Sequence, residues 1–301
     1  MCKHISVLLN ECIEGLNIKI VTDSTADLTV DLIERYQIEV LPLTVTLNEV
    51  SYRDGVDITR DAFYQLMSTT EEFPTTSQIP PAVFAETYQR LAAEGVEHII
   101  SIHISGDLSG TYQSSVLAGT MVENTVHVHC IDSKSATIGL GPIVLAAARL
   151  AEQNLPIAEI LETLNRVVEQ TAVFFLLDSL DNLHKGGRIG KASHMVGSLL
   201  NLKPILSLNE GVISAYEKIR GNKGNKALER LIDILAEKID PNKKLYCAIG
   251  YSDSNALEQA KYIQECLQDK VDCDEFVYLQ IGSVVGAHIG TGAVGMGFYQ
   301  L

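Results

Sequence analysis

The 301-residue chain has no tryptophan, and only 6% of its residues are aromatic. Aliphatic side chains must therefore fill whatever cavities its core encloses. Basic residues are also scarce, with 23 Lys and Arg against 38 Asp and Glu and a formal net charge of −15. Nucleic acids and anionic lipid surfaces bind clusters of Lys and Arg. Because the chain has no basic stripe, no nucleic acid partner is expected, and the basic stretch 218–226 is interpreted as a solvated loop.

Paired cysteine motifs and long apolar runs are missing as well. None of the six cysteines forms a C-x-x-C motif, so all are expected to be free thiols, with Cys130 and Cys247 buried in strands. Free thiols indicate a reducing, cytoplasmic location. No run of 18 apolar residues is present, which argues against stable insertion in a membrane but allows transient contact. Residues 1–16 are expected to be an N-terminal extension, whose apolar run is too short for a signal peptide.

The order of apolar segments predicts two α/β domains. In residues 17–171, predicted strands alternate with helices, which indicates βαβ units on a parallel sheet. One of these strands is expected at Glu39–Leu47, with Pro42 marking a sheet edge or a bulge. Residues 172–301 predict an α+β domain with antiparallel pairing, including a hairpin around Asn209–Gly211.

Several familiar motifs fail in context. Gly290–Gly295 fits G-x-G-x-x-G but leaves no room for a βαβ unit, and Gly186–Lys191 is one residue too short for a phosphate-binding P-loop. Ser109 has only half of a G-x-S-x-G elbow. Metal ligation by Asp23 with Asp27, or by Asp54 with Asp57, is an alternative to their simpler interpretation as turn and cap residues. No ATP site and no cofactor are expected.

Four polar segments flanked by glycine remain, and together they predict an anion-binding site. Their hydroxyls, free backbone N–H groups, one Arg and one His are donors suited to a group of anionic oxygens, and each segment lies where a strand ends or a helix begins. The segments are 75–78, 105–112, 185–190 and 286–292.

Each residue of these segments also has a plain structural interpretation. Ser109 and Gly110 precede a predicted helix, where Ser109 could serve only as an N-cap. Thr76 and Ser77 could form a cap and turn before Pro80. His288 could be a buried structural histidine on a strand, and Arg188 could pair with a carboxylate that fixes its loop.

The combination of segments resembles the DegV family of fatty-acid-binding proteins, from residue 18 to residue 301. Two departures are Thr291, where the family usually has Pro, and the Gly106-Asp107 pair, where Ser-Gly is commoner. The matching segments, in chain order, are Ile20–Asp27, Thr75–Gln78, Ile102–Ser114, Asp132-Ser133, Leu183–Ile189 and His288–Gly292.

The resemblance implies a two-domain carrier with a long-chain fatty acid, of the palmitate or oleate class, in a tunnel. The family's best understood members (FakB) present acyl chains to a fatty acid kinase. By this resemblance Thr76, Ser109 and His288 hold the carboxylate, and Arg188, near the exit, works with the kinase. Ser77, Gly110 and Gly286 are further candidates for ligand-contacting positions.

The same resemblance leaves two enzymatic alternatives. The fold is related to the substrate-binding subunit of dihydroxyacetone kinase, so His288 could bind a small carbonyl substrate covalently. Alternatively, Ser109 could be the nucleophile of a hydrolase. The preferred interpretation is a lipid-binding carrier that is not itself an enzyme.

Overall fold

The computed structural model describes residues 17–195, 202–220, 225–268 and 270–301. The expected N-terminal extension 1–16, with Cys2 and Cys12, therefore lies outside the described residues. So do residues 196–200 of a helix predicted over 193–200 and residues 221–224 of the basic stretch. Most of the predicted strands and helices are present in the predicted order.

The strands and helices are numbered along the chain. The strands are β1 Ile18–Asp23, β2 Glu39–Leu41, β3 Thr44–Leu47, β4 Val50–Arg53, β5 Thr75–Ser77, β6 His98–His103, β7 His127–Asp132, β8 Ala172–Leu176, β9 Leu202–Asn209, β10 Val212–Arg220, β11 Leu245–Tyr251, β12 Glu275–Gln280 and β13 Val294–Gln300. The helices are α1 Val30–Arg35, α2 Arg60–Thr69, α3 Pro81–Ala93, α4 Thr111–Met121, α5 Leu140–Glu152, α6 Ile157–Gln170, α7 Asp181–Lys185, α8 Lys226–Lys238, α9 Ser254–Gln268 and α10 Ser283–Ile289.

The N-terminal half contains the predicted parallel sheet, with strand order β2-β1-β6-β7. Its central strands bury apolar side chains on both faces: Ile20, Ile100 and Ile102 belong to one hydrophobic cluster, and Val21 and Ile99 belong to another. This burial on both sides is typical of parallel strands connected by helical crossovers. The predicted α/β class is confirmed.

The single strand predicted over Glu39–Leu47 is wrong. Its first three residues form β2 of the parallel sheet, whereas Thr44–Leu47 form β3 of a separate antiparallel sheet with order β4-β3-β5. Pro42 lies at the break, because proline has no N–H to continue the ladder. The break matters for the site, since β3 pairs with β5 and places Thr76 opposite Val45.

The C-terminal half forms a six-stranded sheet of order β10-β9-β8-β13-β11-β12. All neighbouring strands are antiparallel except β11 and β12, so the sheet is mixed but mostly antiparallel. The predicted hairpin joins β9 to β10. Glu210 and Gly211 have φ of 50° and 85°, the left-handed values of a tight two-residue hairpin turn.

Helix α5 lies between the parallel and the mixed sheet. It packs on β1 and β6 on one side and on β11 on the other, and Leu140–Ala148 are all buried. The sequence predicts that this helix begins at Ser135. The loop before α5, however, holds Thr137 at a φ of 42°, which a right-handed helix does not allow. All strands of the parallel sheet precede residue 171, and all those of the mixed sheet follow it. The domain boundaries themselves (1–16, 17–171, 172–301) stay a prediction.

The described cysteines Cys130, Cys247, Cys266 and Cys273 are free thiols. Cys247 is buried as predicted, whereas Cys130 is only half-buried. Within the described residues, no helix combines the length and apolarity needed to cross a bilayer.

Candidate functional site

An apolar cavity of about 350 Å³ lies where the two halves of the chain meet. This volume is within the range of small-molecule sites, roughly 300–1,000 Å³. Of the described residues, no acidic one lines it, and Arg188 is the one charged side chain in its wall. The apolar part of the wall consists of Leu43, Ile104, Leu108, Ala136, Ile138, Val173, Phe175, Leu183, Leu208, Ile213, Ile281, Val284, Val285, Ile289, Ala293 and Val294.

Most of the polar lining residues are linked to one another and form one polar cluster in the cavity wall. Thr76 on β5 bonds to His288 on α10, and Gln78 lies against Gly110 at the start of α4. The Arg188 Nε donates to the Leu108 carbonyl, next to Ser109. The structure thus brings together five of the predicted site residues: Thr76, Ser109, Gly110, His288 and Arg188.

The other two predicted positions differ from each other. Ser77 also lines the cavity. Gly286 does not, because it lies on another face of α10, where an added methyl group would be 2.6 Å from the Tyr64 Oη. Gly286 therefore allows α10 to pack closely on α2.

His288 lies on a helix and not on the strand suggested by the sequence. Its Nε2 is 2.8 Å from the Thr76 Oγ1, and its Nδ1 is buried without a hydrogen-bond partner among the described residues. If Nε2 carries the proton, it donates to Thr76, and the Thr76 O–H can then donate to a ligand. The opposite tautomer would bury an unpaired N–H and occupy the threonine proton, so the geometry favours Nε2–H.

His288 is neutral at physiological pH in this environment. Burial, and next the positive charge of Arg188, lower its pKa from 6.5 to about 4. The polar cluster in the cavity wall is therefore a set of neutral donors with one cation, Arg188, nearby. Such a set suits a single anionic group.

The lowered pKa of His288 predicts an acid-sensitive contribution to stability. As pH falls from 6.5 towards 4, His288 binds a proton in the unfolded chain but stays neutral in the folded protein. The free energy of unfolding therefore decreases. Between pH 7 and pH 4.5 we expect the free energy of unfolding of His288→Gln to fall by about 2–3 kcal/mol less than that of the wild type. The glutamine keeps a donor to Thr76. Urea unfolding at both pH values measures the difference.

The matched control for this experiment is His194→Gln, because His194 is exposed. It should change the pH dependence much less than His288→Gln does. An unchanged pH dependence in His288→Gln would contradict the assignment of a neutral, buried His288.

Ser109 combines the two roles that the sequence left open. It lines the cavity, and its Oγ accepts from the Thr111 N–H at 3.3 Å and lies 2.9 Å from the Thr111 Oγ1. It therefore caps the first turn of α4 while its hydroxyl stays at the cavity wall. Thr76 and Ser77, by contrast, are not cap residues but form the short strand β5.

Arg188 ties two loops together at the polar cluster. Its Nε donates to the Leu108 carbonyl at 3.1 Å and its Nη1 to the Gly186 carbonyl at 2.8 Å. In the described part of the chain it makes no ion pair with a carboxylate. Its remaining N–H groups are therefore available to a phosphate or carboxylate.

A buried Asp–His–Ser chain exists elsewhere in the molecule. Asp23 Oδ2 is 3.0 Å from His103 Nδ1, and His103 Nε2 is 2.7 Å from the Ser101 Oγ. All three side chains are fully buried. A substrate cannot reach this serine, so the chain satisfies core polar groups and gives no support to a hydrolase.

Sequence reasoning missed the importance of Asp27, Asp54 and Thr137. Asp27 and Asp54 accept hydrogen bonds from the first amides of α10. Within the described ranges, no group of three or more His, Cys, Asp or Glu is placed to hold a metal ion. Thr137 lines the cavity with an unpaired Oγ1. Its position after the Asp132-Ser133 segment was the available signal.

Comparison with known proteins identifies related chains along the whole described length. A family model described as "Uncharacterised protein, DegV family" matches residues 17–301. Protein DegV of Bacillus subtilis is 36% identical over 282 residues, which cover 93% of this chain and 98% of that protein.

Solved structures share the fold. A fatty-acid-binding DegV family protein from Thermus thermophilus has 37% identity and a TM-score of 0.87, covering 95% of this chain and 100% of that one. A stearic acid-binding protein from Eubacterium ventriosum has 28% identity and a TM-score of 0.84, covering 94% and 98%.

Proposed function

The chain belongs to the DegV family, and from this membership and its cavity we propose that it is a carrier for a long-chain fatty acid. The acyl tail lies in the apolar cavity, and the carboxylate accepts hydrogen bonds from Thr76 and Ser109, with His288 acting through Thr76. A separate fatty acid kinase then phosphorylates the carboxylate, and the protein holds the acyl phosphate for phospholipid synthesis.

The observation that carries this proposal is a cavity wall that is mostly apolar and holds one cluster of polar donors. A tail of about 14 methylenes gains on the order of 10 kcal/mol on leaving water, at about 0.8 kcal/mol each. The costs of ordering ligand and protein reduce that sum. A matched, neutral set of donors at the head group then decides the orientation of the acid.

The neutral donors also suit phosphoryl transfer. Hydroxyl groups stabilise a carboxylate without neutralising it, so one oxygen keeps the electron pair that attacks the γ-phosphorus of a nucleotide held by the kinase. The bond from that phosphorus to the bridging oxygen breaks, and the nucleoside diphosphate leaves. Arg188, next to the head group, faces the phosphate of the acyl phosphate, whose two negative charges replace the single charge of the carboxylate.

Identification of the bound lipid tests the proposal. We expect native mass spectrometry of the purified protein to show a mass increase equal to one fatty acid, and solvent extraction to release an acid with 16 or 18 carbons. A protein that neither carries nor takes up fatty acid would contradict the proposal.

Two further experiments test the two enzymatic alternatives. A covalent adduct on His288 after incubation with a small ketone would favour the carbonyl-binding subunit, although the His288 Nε2 is already engaged by Thr76. Labelling of Ser109 by a fluorophosphonate would favour the hydrolase, although the hydrogen-bond partners of its Oγ within the described residues lie in Thr111.

A further inference from the structure

Two aspartates of the N-terminal half hold the first peptide groups of α10. Asp27, in the loop after β1, accepts from the Gly282 N–H at 2.9 Å. Asp54, directly after β4, accepts from the Ser283 N–H at 3.0 Å and from its hydroxyl at 2.5 Å. A methyl group on Gly282 would lie 2.6 Å from Asp27 Oδ1 and 3.1 Å from Asp54 Oδ2. Both carboxylates therefore close on one short segment of backbone.

The opposite end of α10 carries His288. A helix of seven residues is too short to be stable alone, so tertiary contacts decide where it lies. At 1.5 Å per residue it spans about 10 Å and behaves as one rigid element. A displacement of its first turn therefore moves His288 by a similar amount, and a hydrogen bond of 2.8 Å is lost once the atoms separate beyond about 3.5 Å.

We infer that Asp27 and Asp54 are positioning residues for His288: they fix α10 along its axis and so hold Nε2 on the Thr76 hydroxyl. The consequence for lipid affinity rests on the proposed function, whereas the placement of His288 does not. Neither Asp27 nor Asp54 is among the residues that line the cavity, so neither contacts a ligand there directly.

Asp27 also connects the pair of aspartates that holds α10 (Asp27 and Asp54, here called the clamp) to the cavity wall. The Thr137 hydroxyl lies beside Asp27, yet neither Asp27 Oδ2 nor Thr137 Oγ1 has a well-formed hydrogen bond. The Thr137 hydroxyl can donate to Oδ2 when Asp27 is ionised and accept from it when Asp27 is protonated. The other groups that face Asp27 are Asp54, the Arg60 guanidinium at 4.0 Å and the Tyr64 hydroxyl group.

The charge state of Asp27 supports this arrangement. Burial is the main cause that raises its pKa, to about 7, and Asp54 raises it further, while Arg60 opposes both. Below this pH Asp27 is neutral, and no charge repulsion acts between it and Asp54. Above it, two like charges meet at the first turn of α10 and loosen the clamp.

The first test reads His288 directly in lipid-free protein by ¹⁵N NMR of labelled histidine, with His288→Gln to assign the signal. Thr76→Ala shows the Nε2 shift of a histidine without its partner. We expect Asp54→Ala and Gly282→Ala each to move the Nε2 shift towards that value and to weaken fatty acid binding at least tenfold. Asp31→Ala, which removes an exposed aspartate of α1, is the matched control and should match the wild type.

The second test uses pH, which a purely structural aspartate would not connect to His288. In the wild type we expect the Nε2 shift to change in a step near pH 7, far above the His288 pKa of about 4. Asp27→Asn should abolish the step, because its amide reproduces the protonated acid and Asn tolerates the φ of 54° at this position.

The outcomes are distinct. A wild-type Nε2 shift in both Asp54→Ala and Gly282→Ala, or a pH step that persists in Asp27→Asn, would overturn the inference. If one variant fails to fold, the other and the pH profile still decide. Confirmed NMR shifts in a protein that binds no fatty acid would support the positioning role and reject the proposed function.

Discussion

Thr76→Ala is expected to weaken fatty acid binding by roughly 10- to 150-fold while the fold is retained. The substitution removes the donor that links the carboxylate to His288, and a hydrogen bond to a charged group contributes roughly 1.5–3 kcal/mol. It also leaves the His288 Nε2–H without the acceptor that lies 2.8 Å away in the wild type. Isothermal titration calorimetry or displacement of a fluorescent fatty acid measures the change.

Thr75→Ala is the matched control, because Thr75 is exposed on the same strand and does not line the cavity. Its affinity should stay within about twofold of the wild type. Ser109→Ala should also weaken binding, by removing a second donor. Unchanged affinity in both Thr76→Ala and Ser109→Ala would place the head group elsewhere and reject the site.

Arg188→Ala is expected to keep most of the fatty acid affinity but to lose most acyl-phosphate formation with the cognate kinase. In the proposed complex Thr76 and Ser109 hold the carboxylate, whereas the guanidinium has N–H groups beyond those that bond to Leu108 and Gly186. Those groups are free to meet the phosphate or an acidic surface of the kinase. The measurement pairs a lipid-binding assay with a phosphorylation assay on the same preparation.

Lys185→Ala separates this effect from a general loss of positive charge. Lys185 is exposed in the neighbouring part of the loop and does not line the cavity, so it should retain more phosphorylation than Arg188→Ala. If Arg188→Ala loses lipid binding as severely as phosphorylation, then Arg188 serves the pocket or the two loops it joins, and the role in phosphoryl transfer is wrong.

Local patterns predicted most of the fold but not its divisions. Apolar strands, helix caps and the turn at Glu210–Gly211 are set by neighbouring residues, and the structure agrees with them. The split of Glu39–Leu47 between two sheets could not be predicted, because Pro42 is compatible with an edge, a bulge or a break, and the choice depends on which strands are nearby. The three polar residues of β5 are likewise strand only because β3 pairs with them.

The site was predictable in composition but not in arrangement. Gly282, Gly286 and Gly290 reduce the helix propensity around α10, so the sequence did not indicate the helix that carries His288. Asp27 fits a turn or cap, and only the packed structure shows it buried against Gly282. Burial of a charge, and the pKa that results, depend on residues far away in the chain.

Strand β13 has a consequence for how the protein is made. It lies between β8 and β11 and contributes Val294 to the cavity wall, although it is the last described strand. During translation, the edges of β8 and β11 that pair with β13 stay unpaired until residue 300 has left the ribosome. Exposed edges of this kind promote aggregation. A ribosome stalled before Val294 should therefore hold a nascent chain that is protease-sensitive and binds chaperones.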